Sequence, residues 1–338
     1  MTQVGGIQSR FEVQGLVSSM AHGSSSPVCL VSTIMNGAHI FSPEGLADTC
    51  VTTSQSTICV ESFPHNIIGE DPVISSRFVL GDSCFAVGSA VGSIAVVSRQ
   101  SRSVVRCYTF QDGAGVLSLG EVPGEPSLLV SCSQAGVQVV DMEQAALRLT
   151  LSVPKARVVG SVAVSSSIVV VANYDGKVML YDMRKGSEPV VVLVVPDQIT
   201  SVSPSTHLGA VAVGTVSGRV FILRCSAGSV REEAFAIGKE RAPIRSLSVY
   251  EKQIAAGDIC GKLTLLDCNE SPSPTRQWSA QMLLPPLASQ PPFSAAAAQE
   301  TGDNSLWSVS GVALQKDILW AALSSTGSTS SHVVVLPL

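Results

Sequence analysis

The sequence predicts an all-β fold in which seven four-stranded units close into a ring. Three observations lead there: a strand–turn–strand phrase that recurs seven times, a spacing close to that of a four-stranded unit, and a composition rich in apolar residues. Hydrophobic residues make up 45% of the 338 and charged ones only 14%. That balance suits strands buried on both faces and is ill suited to disorder. Lys and Arg number 21 against 26 Asp and Glu, a net charge of −5, so no basic nucleic-acid footprint dominates the chain.

The phrase is an apolar strand, a short turn ending in glycine, and a second apolar strand. It occupies residues 28–43, 84–99, 127–142, 168–183, 210–225, 253–268 and, more loosely, 318–338. Its turn glycines are Gly37, Gly92, Gly136, Gly176, Gly218, Gly261 and Gly327, separated by 55, 44, 40, 42, 43 and 66 residues. Most of these separations match the ~40–45 residues of a four-stranded blade. Glycine is needed where a tight hairpin demands positive φ, and Asn36-Gly37 and Asp175-Gly176 are the strongest such turns.

A further short strand precedes most hairpins, at 161–165, 200–205, 245–250 and 307–314, and a fourth follows at 189–195 and 232–238. No such sheet buries both faces alone, and a closed ring removes the exposed ends of an open stack. The reading is therefore one seven-bladed β-propeller over residues 10–338. The last repeat runs out after its third strand at 332–338, while RFEVQGL (10–16) has no blade of its own. Residues 10–16 are expected to supply the outer strand of the last blade and close the ring.

VVVANYDGKVMLYDMR (169–184) places Asp175 in the hairpin turn and Tyr181-Asp182 at the end of the following strand. In these features the chain resembles the WD40-repeat family, where a Trp-Asp pair ends that strand, and the resemblance covers residues 10–338. It implies a seven-bladed WD40-like β-propeller closed by an N-terminal strand completing the last blade. Val140-Asp141 and Leu266-Asp267 keep only the acid, and Gly-His dipeptides are missing. The family's hydrogen-bonded tetrad of Asp, His, Ser or Thr and Trp cannot be assembled, which leaves apolar packing to carry the stability.

Two places break the spacing. About ten extra residues around 48–66 read as a lengthened outer strand or a protruding hairpin. Residues 271–305 form a Pro/Ala-rich insertion before the last blade, expected as an exposed loop without a strand ladder, with a short helix near 294–300. Ser271-Pro272 and Ser273-Pro274 could make it a docking or phosphorylation segment, or it is a tolerated surface loop.

No catalytic pattern emerges. His22, His39, His65, His207 and His332 are isolated, without metal-binding spacing, and phosphate-cradling and nucleophile-elbow motifs are absent. No catalytic, cofactor or metal residue is expected. Nine scattered cysteines without a C-x-x-C pair read as small buried hydrophobes in a reducing compartment. No apolar run approaches the ~20 residues of a membrane span, and residues 1–30 lack signal-peptide character, so an intracellular, nuclear or cytoplasmic location is expected. Two basic groups, Arg99, Arg102 and Arg106, and Lys239, Arg241 and Arg245, lack interleaved aromatics. Nucleic acid is not the expected partner.

The function expected is a non-enzymatic protein–protein interaction scaffold within a larger assembly, of which an outer-ring nuclear-pore subunit is one form. Tyr181-Asp182-Met183-Arg184 resembles the element with which WD40 substrate receptors engage the adaptor of a cullin-4-type ubiquitin ligase. That makes Tyr181, Asp182 and Arg184 candidate protein-binding residues, although Asp182 and Arg184 could equally cap the strand end and pair with each other. A hydrolytic propeller would need carboxylates or histidines gathered at the central channel.

Overall fold

A computed structural model describes residues 9–24, 27–42, 60–63, 71–109, 113–154, 157–205, 209–226, 229–236, 242–267, 273–284, 307–325 and 330–338. Seven four-stranded antiparallel sheets surround a central channel. The first strand, β1 (Ser9–Gln14), belongs to the last sheet. Blade 1 is β2 (Val17–His22), β3 (Cys29–Thr33), β4 (Gly37–Phe41) and β5 (Val60–Phe63). Blade 2 is β6 (Val73–Val79), β7 (Cys84–Ser89), β8 (Ser93–Ser98) and β9 (Ser103–Thr109). Blade 3 is β10 (Val116–Val122), β11 (Glu125–Ser133), β12 (Gly136–Asp141) and β13 (Ala146–Leu151).

Blade 4 is β14 (Val158–Ala163), β15 (Ile168–Asn173), β16 (Lys177–Asp182) and β17 (Val191–Val194). Blade 5 is β18 (Ile199–Ser205), β19 (Ala210–Thr215), β20 (Arg219–Ser226) and β21 (Ser229–Ala236). Blade 6 is β22 (Ile244–Tyr250), β23 (Gln253–Asp258), β24 (Lys262–Asp267) and β25 (Ser273–Ser279). Blade 7 is β26 (Trp307–Gln315), β27 (Ile318–Ser325) and β28 (Ser330–Pro337), with β1 antiparallel to β28 from Ser9↔Val335 to Gln14↔Ser330. The expected closure by the N-terminal strand is therefore present.

The sequence dictates this layering. Second strands such as β7, β15 and β19 are buried along their whole length, and they are the runs CFAVGS, IVVVAN and AVAVGT, apolar or small at every position. A sheet covered on both faces needs that continuous run. Seven apolar clusters fill the seven spaces between successive blades; Phe63 and Phe85 meet between blades 1 and 2, for example, and Trp320 packs toward Phe41 between blades 7 and 1. Close approach fixes some glycines. A Cβ on Gly257 would lie 2.3 Å from Cγ1 of Val309 in the next blade, and one on Gly176, at φ +91°, would lie 2.6 Å from the Val195 carbonyl oxygen.

The seven innermost strands share an irregularity that alternation alone does not reveal. Each carries a register shift near its start, between Val17 and Ser19, Val73 and Ser75, Val116 and Ser118, Val158 and Gly160, Ile199 and Ser201, Ile244 and Ser246, and Val309 and Gly311. A bulge at that point adds twist where strands crowd the channel. The hydroxyls beside it join neighbouring blades. The Ser76 amide donates to Ser19 Oγ (3.1 Å), the Ser161 amide to Ser118 Oγ (2.9 Å), and the Leu314 amide to Ser248 Oγ (2.9 Å), while Ser75 Oγ donates to the Val116 carbonyl (2.6 Å). Ser331 Oγ receives the Val17 amide at the closing junction. Apolar packing thus does not act alone in place of the missing tetrad: serines supply a polar connection from blade to blade.

The expected insertion at 271–305 needs correcting. Residues 273–279 form the outer strand of blade 6, followed by a short helix, α1 (Ala280–Leu283), with Trp278 and Leu283 buried. Pro274 is accommodated because it stands opposite Leu266 at a register shift on an edge strand, where a missing N–H breaks no ladder. Residues 285–306, with the expected helix near 294–300, lie outside the described residues, as do Gly327, His65, His207, Cys50, Cys59, Cys268, Lys239, Arg241 and most of 48–66.

Candidate functional site

Tyr181, Asp182 and Arg184 stand together at the end of β16. Tyr181 is wholly buried, donates its hydroxyl to the Ser152 carbonyl at 2.8 Å, and has its pKa pushed up to about 12 by burial. The side chain thereby ties blade 4 to the end of β13 in blade 3. Asp182 is buried as well. Its Oδ1 accepts the Arg184 amide (3.1 Å) and Nε (2.8 Å), and its Oδ2 accepts Nη2 (2.8 Å). The Arg184 hydrogen bond holds this carboxyl down at about 2.

Blade 3 repeats the device. Asp141, at the same strand end, accepts the amides of Glu143 and Gln144 on Oδ1 and Nε and Nη2 of Arg148 on Oδ2. The acid therefore caps the turn to the outer strand, and the arginine, with 66% of its side chain exposed in blade 4, lies over it. An aspartate and arginine in this relation serve the turn in two blades, so the pairing by itself does not single out blade 4 as a binding site.

We call the face bearing the turns between second and third strands the upper face. The channel opens at the lower face into a cavity of about 800 Å³. Its wall gathers His22 of blade 1, Arg77 of blade 2 and Glu121 of blade 3, with Asp82 close by in the β6–β7 turn. Burial, helped by the Arg77 charge, pushes His22 down to about 4, so its imidazole is neutral at physiological pH. Burial raises Glu121 against the opposing pull of Arg77 and of the Leu80 amide it accepts at 3.2 Å. Asp82 Oδ1 accepts the amide and hydroxyl of Ser24. These acids are held by the backbone and hydroxyl of neighbouring turns, an arrangement that fixes loops. Among the described residues no three His, Cys, Asp or Glu side chains gather where a metal could be held.

The other residues singled out in the sequence are spread over the molecule. Arg99 pairs with Glu61 at 2.5 Å and donates to the Asp82 carbonyl, Arg102 lies over the Phe63 ring, and Arg245 is exposed. His39 reaches Ser62, and His332 lies near Arg10 and Trp307. Cys29, Cys84 and Cys132 are buried, as expected of small hydrophobes, whereas Cys107 and Cys260 are exposed.

Exposed large apolar side chains are distributed unevenly. Leu16, Met35, Val91, Ile259 and Met282 all sit on the upper face, in turns of blades 6, 1 and 2 and in the links leading into and out of blade 7. Met35 is 52% exposed and Met282 62%. Among the described residues the other six are on or beside the outer strands of blades 2–4: Val104, Val105, Leu147, Val190, Val192 and Val194. The sequence reading missed both groups, because exposure at a turn tip is decided by the neighbouring blade.

Taken together, this is a seven-bladed β-propeller of WD40-like build. No family model matches the chain, and no curated protein sequence matches it. Among solved structures it is similar to the β-propeller domain of Cps50 (Swd1) from Myceliophteria thermophila, with a TM-score of 0.71 and 10% identity over 98% of this chain and 99% of that one. It is also similar to a chain of the mitotic checkpoint complex, with a TM-score of 0.73 and 14% identity over 98% of this chain and 95% of that one. At these identities the likeness is one of fold.

Proposed function

We propose that the chain is a non-enzymatic scaffold subunit of a larger intracellular protein assembly, and that partners dock on its upper face. The observation that carries this is the arc of Ile259, Met282, Leu16, Met35 and Val91 across consecutive blades. Apolar side chains gathered on one face mark an interaction surface more than scattered ones do. The lower face, by contrast, exposes charged turn residues such as Glu251, Lys316 and Asp317. The similarity to a chain from a multiprotein complex supports the same reading. An outer-ring nuclear-pore assembly is one home that suits a propeller of this kind.

The test is affinity purification of the tagged full chain at moderate salt, beside the variant Met35→Glu with Val91→Glu. A set of proteins in fixed ratio, depleted at least roughly tenfold in the variant at unchanged melting temperature, is the expected result, since each charge at a buried interface costs more than 1.4 kcal/mol. Full retention of the set would sink the upper-face reading. The exposure of Arg184 favours a second reading, an adaptor that brings substrates to a cullin-4-type ligase. Under it, Arg184→Ala removes cullin and its adaptor from the same purification.

A further inference from the structure

Outer strands are the open edges of a propeller, and natural sheets guard such edges with charge. Among the described residues five outer strands do so: β5 carries Glu61, β9 Arg106, β13 Arg148, β25 Arg276, and β1 Arg10 and Glu12; the sequence of β21 also holds Arg231, Glu232 and Glu233. The exception is β17, Val-Val-Leu-Val, which continues as an uncharged apolar run from Val190 to Val195 between Pro189 and Pro196. Val191 and Leu193 pack against the cluster shared with blade 5. Val192 and Val194, on the opposite side of the strand, are 54% and 62% exposed, and Val190 before them is exposed as well.

We propose that β17 is a self-association edge, at which blade 4 of one molecule pairs antiparallel with blade 4 of a second copy. The sequence is self-complementary for this. A two-fold axis at Val192 sets Val190 of each copy beside Val194 of the other, with no like charges opposed, whereas an arginine or glutamate at the centre of an outer strand would meet itself. Glu188 precedes the strand, and Lys177, which pairs with Asp175 at 3.3 Å, lies opposite Val194 on β16, so the axis carries Glu188 of one copy toward this ion pair in the other. Pairing is confined to about the four residues of β17, since the Val190 and Val195 amides already donate within the blade, and this keeps the interface below the ~1,000 Å² of a permanent one. The dimer is therefore reversible, with dissociation in roughly the micromolar range. Blade 4 lies across the ring from the junction of blades 7 and 1, so pairing leaves the upper-face arc open on both copies.

Sedimentation equilibrium of the full chain from about 5 to 500 µM, bracketing that range, tests this. The expected result is a mass that rises toward twice that of one chain. The variant Val192→Lys with Val194→Lys should stay monomeric throughout. A second variant, Val192→Thr with Val194→Thr, keeps β-branching and the fold and should weaken association at least tenfold. A monomer at every concentration, or a dimer that survives both variants, overturns the proposal. So does saturable binding of a peptide of residues 188–197 to a chain that does not itself associate, since that would make a foreign strand the occupant. The Met35→Glu, Val91→Glu variant should dimerise normally, which separates this inference from the upper-face reading.

Discussion

Asp182 shows how much a single side chain settles at the end of a strand. Its carboxylate holds an amide and a guanidinium, and the bond to Arg184 keeps its pKa at about 2. The folded-state value lies below the ~3.9 of an unfolded aspartate, so its stabilisation is fully present above that pH and is lost as pH falls toward 2. Urea unfolding midpoints measured at pH 6 and pH 3 should accordingly differ less for Asp182→Asn than for the parent chain. An equal acid loss in both would mean that the pair contributes nothing. This residue was legible in advance, as was its partner, because both lie within four positions of one phrase. The cluster of His22, Arg77, Asp82 and Glu121 was not, because three blades contribute to it and nothing in the local pattern of any one blade points to the others.

An inner strand is defined as much by its bulge as by its apolar residues. Blade 6 inserts Arg245, exposed and unmatched in the register, between Ile244 and Ser246. Deleting Arg245 would shift the remainder of β22 by one residue and turn Leu247 and Val249 away from the blade 5–6 cluster. Thermal unfolding should therefore show a large loss for the deletion, while Arg245→Ala stays within about 0.5 kcal/mol of the parent. Similar effects of the two changes would show that the bulge is dispensable. The spacing behind it, Val or Ile followed two residues on by Ser or Gly, stands in all seven inner strands. It escapes a reading by alternation because the extra residue resets the phase at each occurrence. Proline misled in the other direction: Pro274 argued for a loop where an edge strand forms, since only the third dimension reveals that its missing N–H faces no partner.

At the scale of the whole molecule, seven interfaces of similar construction are locked by one pairing between β1 and β28. Phe11 of β1 lies 5.2 Å from Phe41, and Val13 is buried in the cluster between blades 7 and 1. Removing residues 1–16 opens the edge of β28 and this cluster together, so the truncated chain should lose its single cooperative melting transition and aggregate. A soluble monomer that melts cooperatively would show that closure is not required. The hairpin spacing foretold this closure well, because a repeat one strand short at one end and a stray strand at the other leave few alternatives. The same pairing dictates an order of events on the ribosome. Ser9 meets Val335, and 335 − 9 = 326 residues separate them; at about 5–20 residues per second, β1 is made roughly 16–65 s before its neighbour exists. Throughout that interval β1 is an unclaimed strand on the nascent chain, and whatever shelters it during translation determines how many chains complete the ring.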